Sequence, residues 1–276
     1  MKTILVTGST GFIGKNIKES FLNQKYNLLC PTHAELDLLD RVKTLEYFKD
    51  HEIDVVVNAA TSPIALETIA MYYNLQLAAN LSYNTRVINL NSGAIYDRYK
   101  DLSAVSEDQI GVNIPTDDYG MSKYTCYRLR NDNTIDLILF GVFGKYEKPF
   151  RFIPKVTEAF LHNQQPFVNA RTMDLIYVED LIRIIDLVIE QSKWFVPAVN
   201  VCSVDKTYLP DLGNKIMDVL NLQGASFMSG LSYDKIYVGS GSLLRDLYGF
   251  KFTPMDEALD EYTSYLKEDF YAKRAT

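Results

Sequence analysis

Three glycines spaced three residues apart, Gly8, Gly11 and Gly14, constrain this chain more than any other feature. They follow a short apolar run at residues 2–7 and open a helical pattern that extends to about residue 23. In a strand–turn–helix unit, one such glycine permits the tight turn, one lets a pyrophosphate approach the backbone, and one lets the helix pack on the strand. The N–H groups of the helix N-terminus then face the phosphates. The segment therefore predicts a dinucleotide site whose contacts are Gly8, Thr10, Gly11, Phe12, Ile13 and Gly14.

The rest of the first half alternates apolar strand patterns with helical patterns, which is typical of a parallel sheet covered by helices on both faces. The predicted strands cover residues 26–30, 53–59, 86–92 and 136–143, and the predicted helices cover 41–50, 63–83 and 118–131. We expect an α/β fold, a Rossmann-type doubly wound parallel sheet with a small C-terminal substrate-binding lobe. The predicted NAD(P)-binding domain is 1–145, with return segments near 174–203, and the interleaved lobe is mainly 146–276.

Composition excludes several classes of function. The formal net charge of −7 argues against a nucleic-acid binder or a protein of anionic membranes, although a local basic pocket for a phosphate is compatible with it. The three cysteines are far apart, and neither they nor the three histidines form a metal-ligand cluster, so we expect reduced thiols and no metal. No apolar run is long enough for an export signal or a membrane span, so a cytoplasmic location is predicted.

Tyr119 and Lys123 form a Y-x-x-x-K pair, which places both side chains on one face of a helix. A free tyrosine has a pKa near 10, and a neighbouring ammonium favours the phenolate, so the pair suits proton exchange at neutral pH. Ser92 ends a predicted strand, at the edge of a parallel sheet where ligands bind. Its hydroxyl is predicted to hydrogen-bond a substrate carbonyl or alcohol while Tyr119 exchanges the proton.

These motifs resemble a known family. The glycine motif, VVVNAA at 55–60, NSGAIY at 91–96 and YGMSK at 119–123 are similar to the NAD-dependent epimerase/dehydratase branch of the extended short-chain dehydrogenases. The resemblance implies a nucleotide-linked sugar as substrate, and Ser92, Tyr119 and Lys123 as catalytic residues. It also implies a homodimer that pairs the helices around 63–83 and 118–131. Further cofactor contacts are expected at Asn58, Ala59, Ala60, Tyr119 and Lys123.

The segment after the second strand bears on the cofactor. An acidic residue at the end of that strand would bind the ribose hydroxyls of NAD, but the chain has Cys30, Pro31, Thr32 and His33 there. Since an acid would repel a 2′-phosphate, its absence favours NADP(H), with NAD(H) as the alternative. His33 is the candidate donor to that phosphate.

The residues after Ser92 bear on the reaction. Dehydratases of this family carry an Asp–Glu pair there, whereas Gly93 and Ala94 can move no proton, which disfavours dehydration. Residues 32–40 resemble the family's GDP-fucose synthase-like subgroup, but the cysteine used there for epimerisation is Ala94 here. The predicted reaction is NAD(P)H-dependent reduction of an NDP-4-keto-6-deoxy sugar at C4. The alternatives are a 4-epimerase with tightly bound NAD and a non-catalytic dinucleotide-binding regulator.

The substrate end of the site departs from the family pattern. The family's asparagine in the segment LFGVFG is replaced by Gly141, and the arginine before the late aspartate is replaced by Met173, with Arg171 two positions earlier. Arg151 and Lys155 are candidates for binding the diphosphate. The predicted substrate contacts are Thr61, Gly93, Ala94, Arg151, Lys155 and Arg171.

Overall fold

A computed structural model describes residues 1–82, 85–203, 206–222, 224–230 and 235–275. Fourteen strands are found in these ranges. They are β1 (Thr3–Thr7), β2 (Asn27–Leu29), β3 (Val55–Asn58), β4 (Arg86–Ser92), β5 (Leu102–Val105), β6 (Thr134–Leu139), β7 (Val142–Phe143), β8 (Phe167–Val168), β9 (Arg171–Met173), β10 (Ile176–Tyr177), β11 (Ala198–Val201), β12 (Thr207–Tyr208), β13 (Met228–Ser229) and β14 (Lys235–Gly239).

Ten α-helices connect and cover the strands in the described ranges. They are α1 (Phe12–Glu19), α2 (Leu22–Lys25), α3 (Arg41–Asp50), α4 (Ala65–Leu81), α5 (Asp118–Leu129), α6 (Phe152–Leu161), α7 (Val178–Glu190), α8 (Leu209–Val219), α9 (Ser242–Tyr248) and α10 (Met255–Ala275). None of the described helices is long and apolar enough to cross a membrane.

Six parallel strands form the central sheet in the order β11-β6-β4-β3-β1-β2. Alternate residues of a strand point to opposite faces, and here both faces are apolar. Ile4 and Val6 enter the core that includes α1 and α7, whereas Leu5 enters the core that includes α3 and α4. This two-sided burial explains the nearly continuous apolar strands and confirms the predicted Rossmann-type α/β fold.

A second, four-stranded sheet has the order β12-β9-β14-β5. β14 lies in parallel between β5, from the first half of the chain, and β9, from the second half. Its central residue Tyr237 pairs with Leu102 on one side and with Met173 on the other. This sheet therefore joins distant segments beside the carboxyl edge of the central sheet.

Several element boundaries differ from the sequence-based prediction, and three of these differences are described next. The predicted strand 136–143 is divided into β6 and β7, because the chain leaves the central sheet at Phe140 and Gly141 and β7 pairs with β10. The first predicted helix ends at Glu19, where the extended backbone of Ser20 separates α1 from α2. The predicted helix 63–83 begins at Ala65, after the extended residue Ile64, and its predicted last residue, Tyr83, lies outside the described ranges.

Candidate active site

The glycine turn lies at the carboxyl edge of the central sheet, between β1 and α1. Gly8 has a φ of +67°, and a Cβ there would lie 2.7 Å from the carbonyl carbon of Ala59 at the end of β3. A Cβ on Gly14 would lie 2.2 Å from the carbonyl oxygen of Gly8. α1 begins at Phe12 with Gly11 as its N-cap, so the first-turn N–H groups face no capping side chain. The turn therefore has no room for a side chain at Gly8 or Gly14.

A cleft of about 570 Å³ opens beside this turn, and the three predicted catalytic residues line it. Ser92 is the last residue of β4, while Tyr119 and Lys123 lie one turn apart on α5. The Lys123 Nζ is 5.7 Å from the centroid of the Tyr119 ring. Lys123 is buried, with 7% of its surface exposed, whereas Tyr119 is 40% exposed. The arrangement presents a phenol to the cleft with a buried ammonium behind it.

Beneath these residues, buried polar side chains cross the central sheet from strand to strand. The Asn89 and Asn91 amides of β4 both donate to Asp136 Oδ1 of β6, at 2.6 and 2.7 Å. The Asn91 amide also donates to the Lys123 carbonyl at 3.3 Å, and its own oxygen accepts the Ser92 N–H at 2.8 Å. Asp136 therefore holds, through Asn91, the backbone of two predicted catalytic residues.

Burial raises the pKa of Asp136 to about 6, although the hydrogen bonds from the two asparagines oppose the shift. Among the described residues, its second oxygen, Oδ2, has no hydrogen-bond partner. The network continues through Asn58, whose amide donates to Asn89 at 2.8 Å and whose oxygen accepts from Thr7 at 2.6 Å. Asn58, predicted as a cofactor contact, is thus a buried member of this network, whereas Ala59 and Ala60 line the cleft.

Arg98 lies against the phenol ring of Tyr119. Its guanidinium carbon is 5.3 Å from the ring centroid, and its Nη2 forms a 2.8 Å ion pair with Asp117, the N-cap of α5. Asp117 also accepts the Gly120 N–H at 3.0 Å. Sequence reasoning missed Arg98, although its position just after NSGAIYD placed it close to the site.

Tyr237 reaches the cleft from β14, and a Cβ on Gly93 would lie 2.8 Å from its hydroxyl oxygen. It is 6% exposed, and burial raises the pKa of its hydroxyl. The guanidinium of Arg171 lies 5.3 Å from its ring centroid. Sequence reasoning missed Tyr237 because KIYVG reads as an ordinary strand, 145 residues after Ser92.

Arg171 and Arg151, two predicted substrate contacts, also line the cleft, together with Arg98 and Lys148. Arg151 pairs with Glu147 at 3.3 Å, and burial raises the pKa of that carboxyl to about 7. The buried Nε of Arg171 has no hydrogen-bond partner in the described part of the chain. A buried, unpaired guanidinium N–H favours an anionic ligand.

Most other predicted site residues also lie at the cleft. Those that line it are Phe12, Ile13, Ala59, Ala60, Thr61 and Ala94, and Gly141 and Met173, whose positions depart from the family pattern, line it as well. Gly93 is buried just behind Ser92, and Thr10 is exposed on the glycine turn. Two further predicted residues lie away from the cleft. Lys155 is exposed on α6, and the His33 side chain is 76% exposed, with its Nδ1 3.8 Å from Asp37.

The cleft brings a phenol, a hydroxyl and an ammonium opposite a glycine turn. This combination of groups is typical of a Rossmann-type NAD(P)-dependent enzyme. The chain matches the model of the NAD dependent epimerase/dehydratase family over residues 4–202. It therefore belongs to the NAD-dependent epimerase/dehydratase family, which confirms the resemblance found in the sequence.

The individual proteins that this chain resembles share less than 30% sequence identity with it. GDP-L-colitose synthase of Yersinia pseudotuberculosis is 29% identical over 168 residues, which are 52% of this chain and 54% of that protein. The chain thus matches about half the length of this curated relative. A GDP-L-fucose synthetase from Naegleria fowleri bound to NADP superimposes with a TM-score of 0.84 at 15% identity, covering 98% of this chain and 95% of that one. The structure of dTDP-glucose 4,6-dehydratase from Bacillus anthracis, in complex with NAD, superimposes with a TM-score of 0.84 at 15% identity, and the superposition covers 97% of each chain. At these identities the two structures show the shared fold alone.

Proposed function

We propose that the protein is an NAD(P)H-dependent reductase of an NDP-4-keto-6-deoxy sugar. Tyr119 donates a proton to the C4 oxygen as the hydride arrives, and Ser92 hydrogen-bonds the same oxygen. Lys123, buried behind the phenol, carries the positive charge of the site and is placed to hold the cofactor ribose. The observation that carries the proposal is that Ser92, Tyr119 and Lys123 line one cleft in which Gly93 and Ala94 follow Ser92.

The residues of the glycine turn fit a dinucleotide, because Gly14 lets α1 pack directly on the turn and the first-turn N–H groups of α1 face no capping side chain. When bound, the reduced nicotinamide supplies the hydride. The named structural neighbours carry NADP in one case and NAD in the other, which supports a nicotinamide dinucleotide for this chain. NADP(H) is favoured because no acid stands directly at the end of β2, where residues 30–33 are Cys, Pro, Thr and His.

Four cations of the cleft, besides Lys123, are proposed to bind the nucleotide part of the substrate. Arg98, Lys148, Arg151 and Arg171 converge on it in a chain whose formal net charge is −7. A diphosphate is the group of a sugar nucleotide that such cations would bind. Arg171, with its buried unpaired Nε, is the central ligand in this proposal.

The test is turnover of NADPH and NADH with a panel of freshly generated NDP-4-keto-6-deoxy sugars. Stoichiometric loss of the reduced nicotinamide absorbance with one sugar supports the reductase and identifies the cofactor. Tyr119→Phe is expected to abolish this turnover while leaving dinucleotide affinity nearly unchanged, since the phenol oxygen transfers the proton. A sugar rearranged by NMR without net oxidation of the dinucleotide would instead support the 4-epimerase, and dinucleotide binding without turnover would support the regulator.

A homodimer is also part of the proposal. α4 and α5 pack against each other and expose large apolar side chains, among them Leu66, Leu81, Met121 and Leu129. Such a face on two neighbouring helices suits pairing with a second copy of the chain. Sedimentation as a monomer at micromolar concentration would contradict this. The cytoplasmic location stays a prediction, for which cell fractionation is the test.

A further inference from the structure

We infer that Glu147 is a positioning residue for the sugar-nucleotide substrate, because its carboxylate holds the Arg151 guanidinium at the cleft with two nitrogens left free for the diphosphate. The inference rests on the proposed function and deepens it at the nucleotide end of the site. Both residues line the cleft, in the segment that joins β7 to α6, and Arg151 is the N-cap of α6.

The two oxygens of the Glu147 carboxylate have different partners. Oε1 accepts a hydrogen bond from Arg151 Nε at 3.3 Å, and Oε2 accepts one from the Tyr262 hydroxyl of α10 at 3.3 Å. The Glu147 side chain is 5% exposed and Tyr262 is 1% exposed, whereas the Arg151 side chain is 47% exposed. The carboxylate is therefore fixed from the protein interior, and the guanidinium extends from it toward solvent.

The turn before α6 places Glu147 without help from a ligand. Gly144 has a φ of +144° and Tyr146 a φ of +69°, and the Glu147 N–H donates to the Gly144 carbonyl at 3.0 Å. Lys145 Nζ and the Tyr146 hydroxyl both donate to the Glu19 carboxylate of α1, at 2.9 and 2.7 Å. The segment is thus tied to α1 through these two side chains and to α10 through Glu147.

The donors of Arg151 give the physical reason for this role. A guanidinium has five N–H donors in a fixed fork, and the bond to Glu147 uses the one on Nε. No other hydrogen bond of this guanidinium is found in the described part of the chain. Its two terminal nitrogens form the edge that binds two phosphate oxygens at once. Holding a long side chain in place beforehand lowers the entropy lost when a ligand binds.

The charge of Glu147 decides whether it can hold Arg151. Burial raises the pKa of this carboxyl to about 7, and Arg151 opposes the rise. Burial also raises the pKa of the phenols around it, Tyr177, Tyr262 and Tyr265, so these stay neutral near pH 7. As pH falls through about 7, the carboxyl takes up a proton and the ion pair is lost. Affinity for a diphosphate is therefore expected to fall in the same direction.

The test is calorimetric titration of the NADPH-saturated protein with GDP, UDP, CDP and dTDP, which needs no turnover. At pH 8, Glu147→Gln is expected to raise the Kd of the nucleoside diphosphate that binds by roughly tenfold, the size of one charge-assisted hydrogen bond. At pH 6 the two proteins should have nearly equal Kd values. Glu158→Gln is the matched control, because it removes the same charge from an exposed position of α6 away from the cleft. The control and the NADPH affinity are expected to stay at wild-type values.

A double-mutant cycle separates positioning from a general structural role. If Glu147 acts through Arg151, then Glu147→Gln has no further effect on Kd in an Arg151→Gln background, and additive losses would contradict the inference. With the substrate identified, Glu147→Gln should raise KM and leave kcat unchanged.

The sign of the change at Glu147 is decisive. An unchanged Kd would overturn the inference, and so would tighter binding by Glu147→Gln, because the carboxylate would then compete with the diphosphate for Arg151. If Arg171→Gln weakened the binding while Glu147→Gln did not, the inference would fail and the proposed substrate class would stand. Wild-type protein that bound none of the four nucleotides would overturn both.

Discussion

The two sides of the cleft are built in different ways. The sheet wall consists of the glycine turn, the end of β3, Ser92 and the first turns of α5, all at the carboxyl edge of one parallel sheet. The lobe wall consists of Arg98, Arg151, Arg171 and Tyr237, which come from four separate segments. Residues of the sheet wall meet because parallel strands end at the same edge. Within the lobe wall, Arg171 and Tyr237 meet because β9 and β14 pair in the second sheet.

This difference suggests a division of labour. The sheet wall holds the groups proposed to bind the dinucleotide and move the proton, and its backbone is anchored by buried hydrogen bonds to Asp136. The lobe wall holds long cationic side chains over aromatic rings, a type of contact that can be changed without altering the sheet. Substitutions on the sheet wall should therefore affect folding and cofactor binding, and substitutions on the lobe wall should affect the sugar nucleotide.

The largest effect on ligand binding is expected for Gly14→Ala on the sheet wall. The new Cβ would lie 2.2 Å from the Gly8 carbonyl oxygen, a backbone atom that cannot move without deforming the turn. We expect dinucleotide affinity to fall by roughly 100-fold, or about 2.7 kcal/mol, with a lower Tm. Fluorescence titration with NADPH measures the affinity. Gly11→Ala is the matched control, because its Cβ would lie 3.3 Å from the same oxygen, and equal losses would contradict a steric cause.

The next prediction concerns stability, because Asp136 anchors the backbone of the sheet wall and its protonation changes the free energy of unfolding. The unfolded chain releases the Asp136 proton near its ordinary pKa of 3.8, whereas burial holds it in the folded state up to about pH 6. Since the folded state binds more protons between these values, the Asp136 contribution to the free energy of unfolding falls as pH rises through that window, by about 3 kcal/mol in total. Asp136→Asn keeps an oxygen for Asn89 and Asn91 and removes the titration.

Urea unfolding of the wild type and of Asp136→Asn at several pH values between 4 and 7 tests this. The difference in the free energy of unfolding between the two proteins is expected to change across this pH window. Because other buried carboxyls such as Glu147 are present in both proteins, the change in this difference reports on Asp136 alone. A difference that is constant with pH would show that Asp136 titrates normally in the folded protein.

The same contrast between the walls explains what the sequence could predict. The turn at Gly8, the strand ending at Ser92 and the helix carrying Tyr119 and Lys123 follow from local patterns, and the structure agrees with their elements. Tyr237 belongs to no local motif, and its place depends on which strands β14 pairs with. Lys155 was predicted with Arg151 as a candidate diphosphate ligand, but it is exposed on α6 and does not line the cleft.

On the lobe wall, Arg171→Gln is expected to raise the KM for the sugar nucleotide by roughly tenfold with a small change in kcat, because a charge-assisted hydrogen bond to a diphosphate is lost. The dinucleotide Kd should stay at the wild-type value. Lys155→Gln is the control and is expected to leave KM unchanged, since Lys155 does not line the cleft. A raised KM in both variants would indicate general loss of positive charge instead of a specific ligand.

The smallest effect is expected at the margin of the sheet wall, where His33 follows β2. Its side chain is 76% exposed and lies near Asp37, so any contribution to a 2′-phosphate is screened by solvent. His33→Ala should change the ratio of kcat/KM for NADPH to that for NADH by less than about threefold, the size of an exposed ion pair. His33→Asp should lower the ratio further, because an added carboxylate repels the phosphate. If His33→Ala alone removed the preference for NADPH, His33 would be a true phosphate ligand, and the dinucleotide site would extend beyond the carboxyl edge of the sheet.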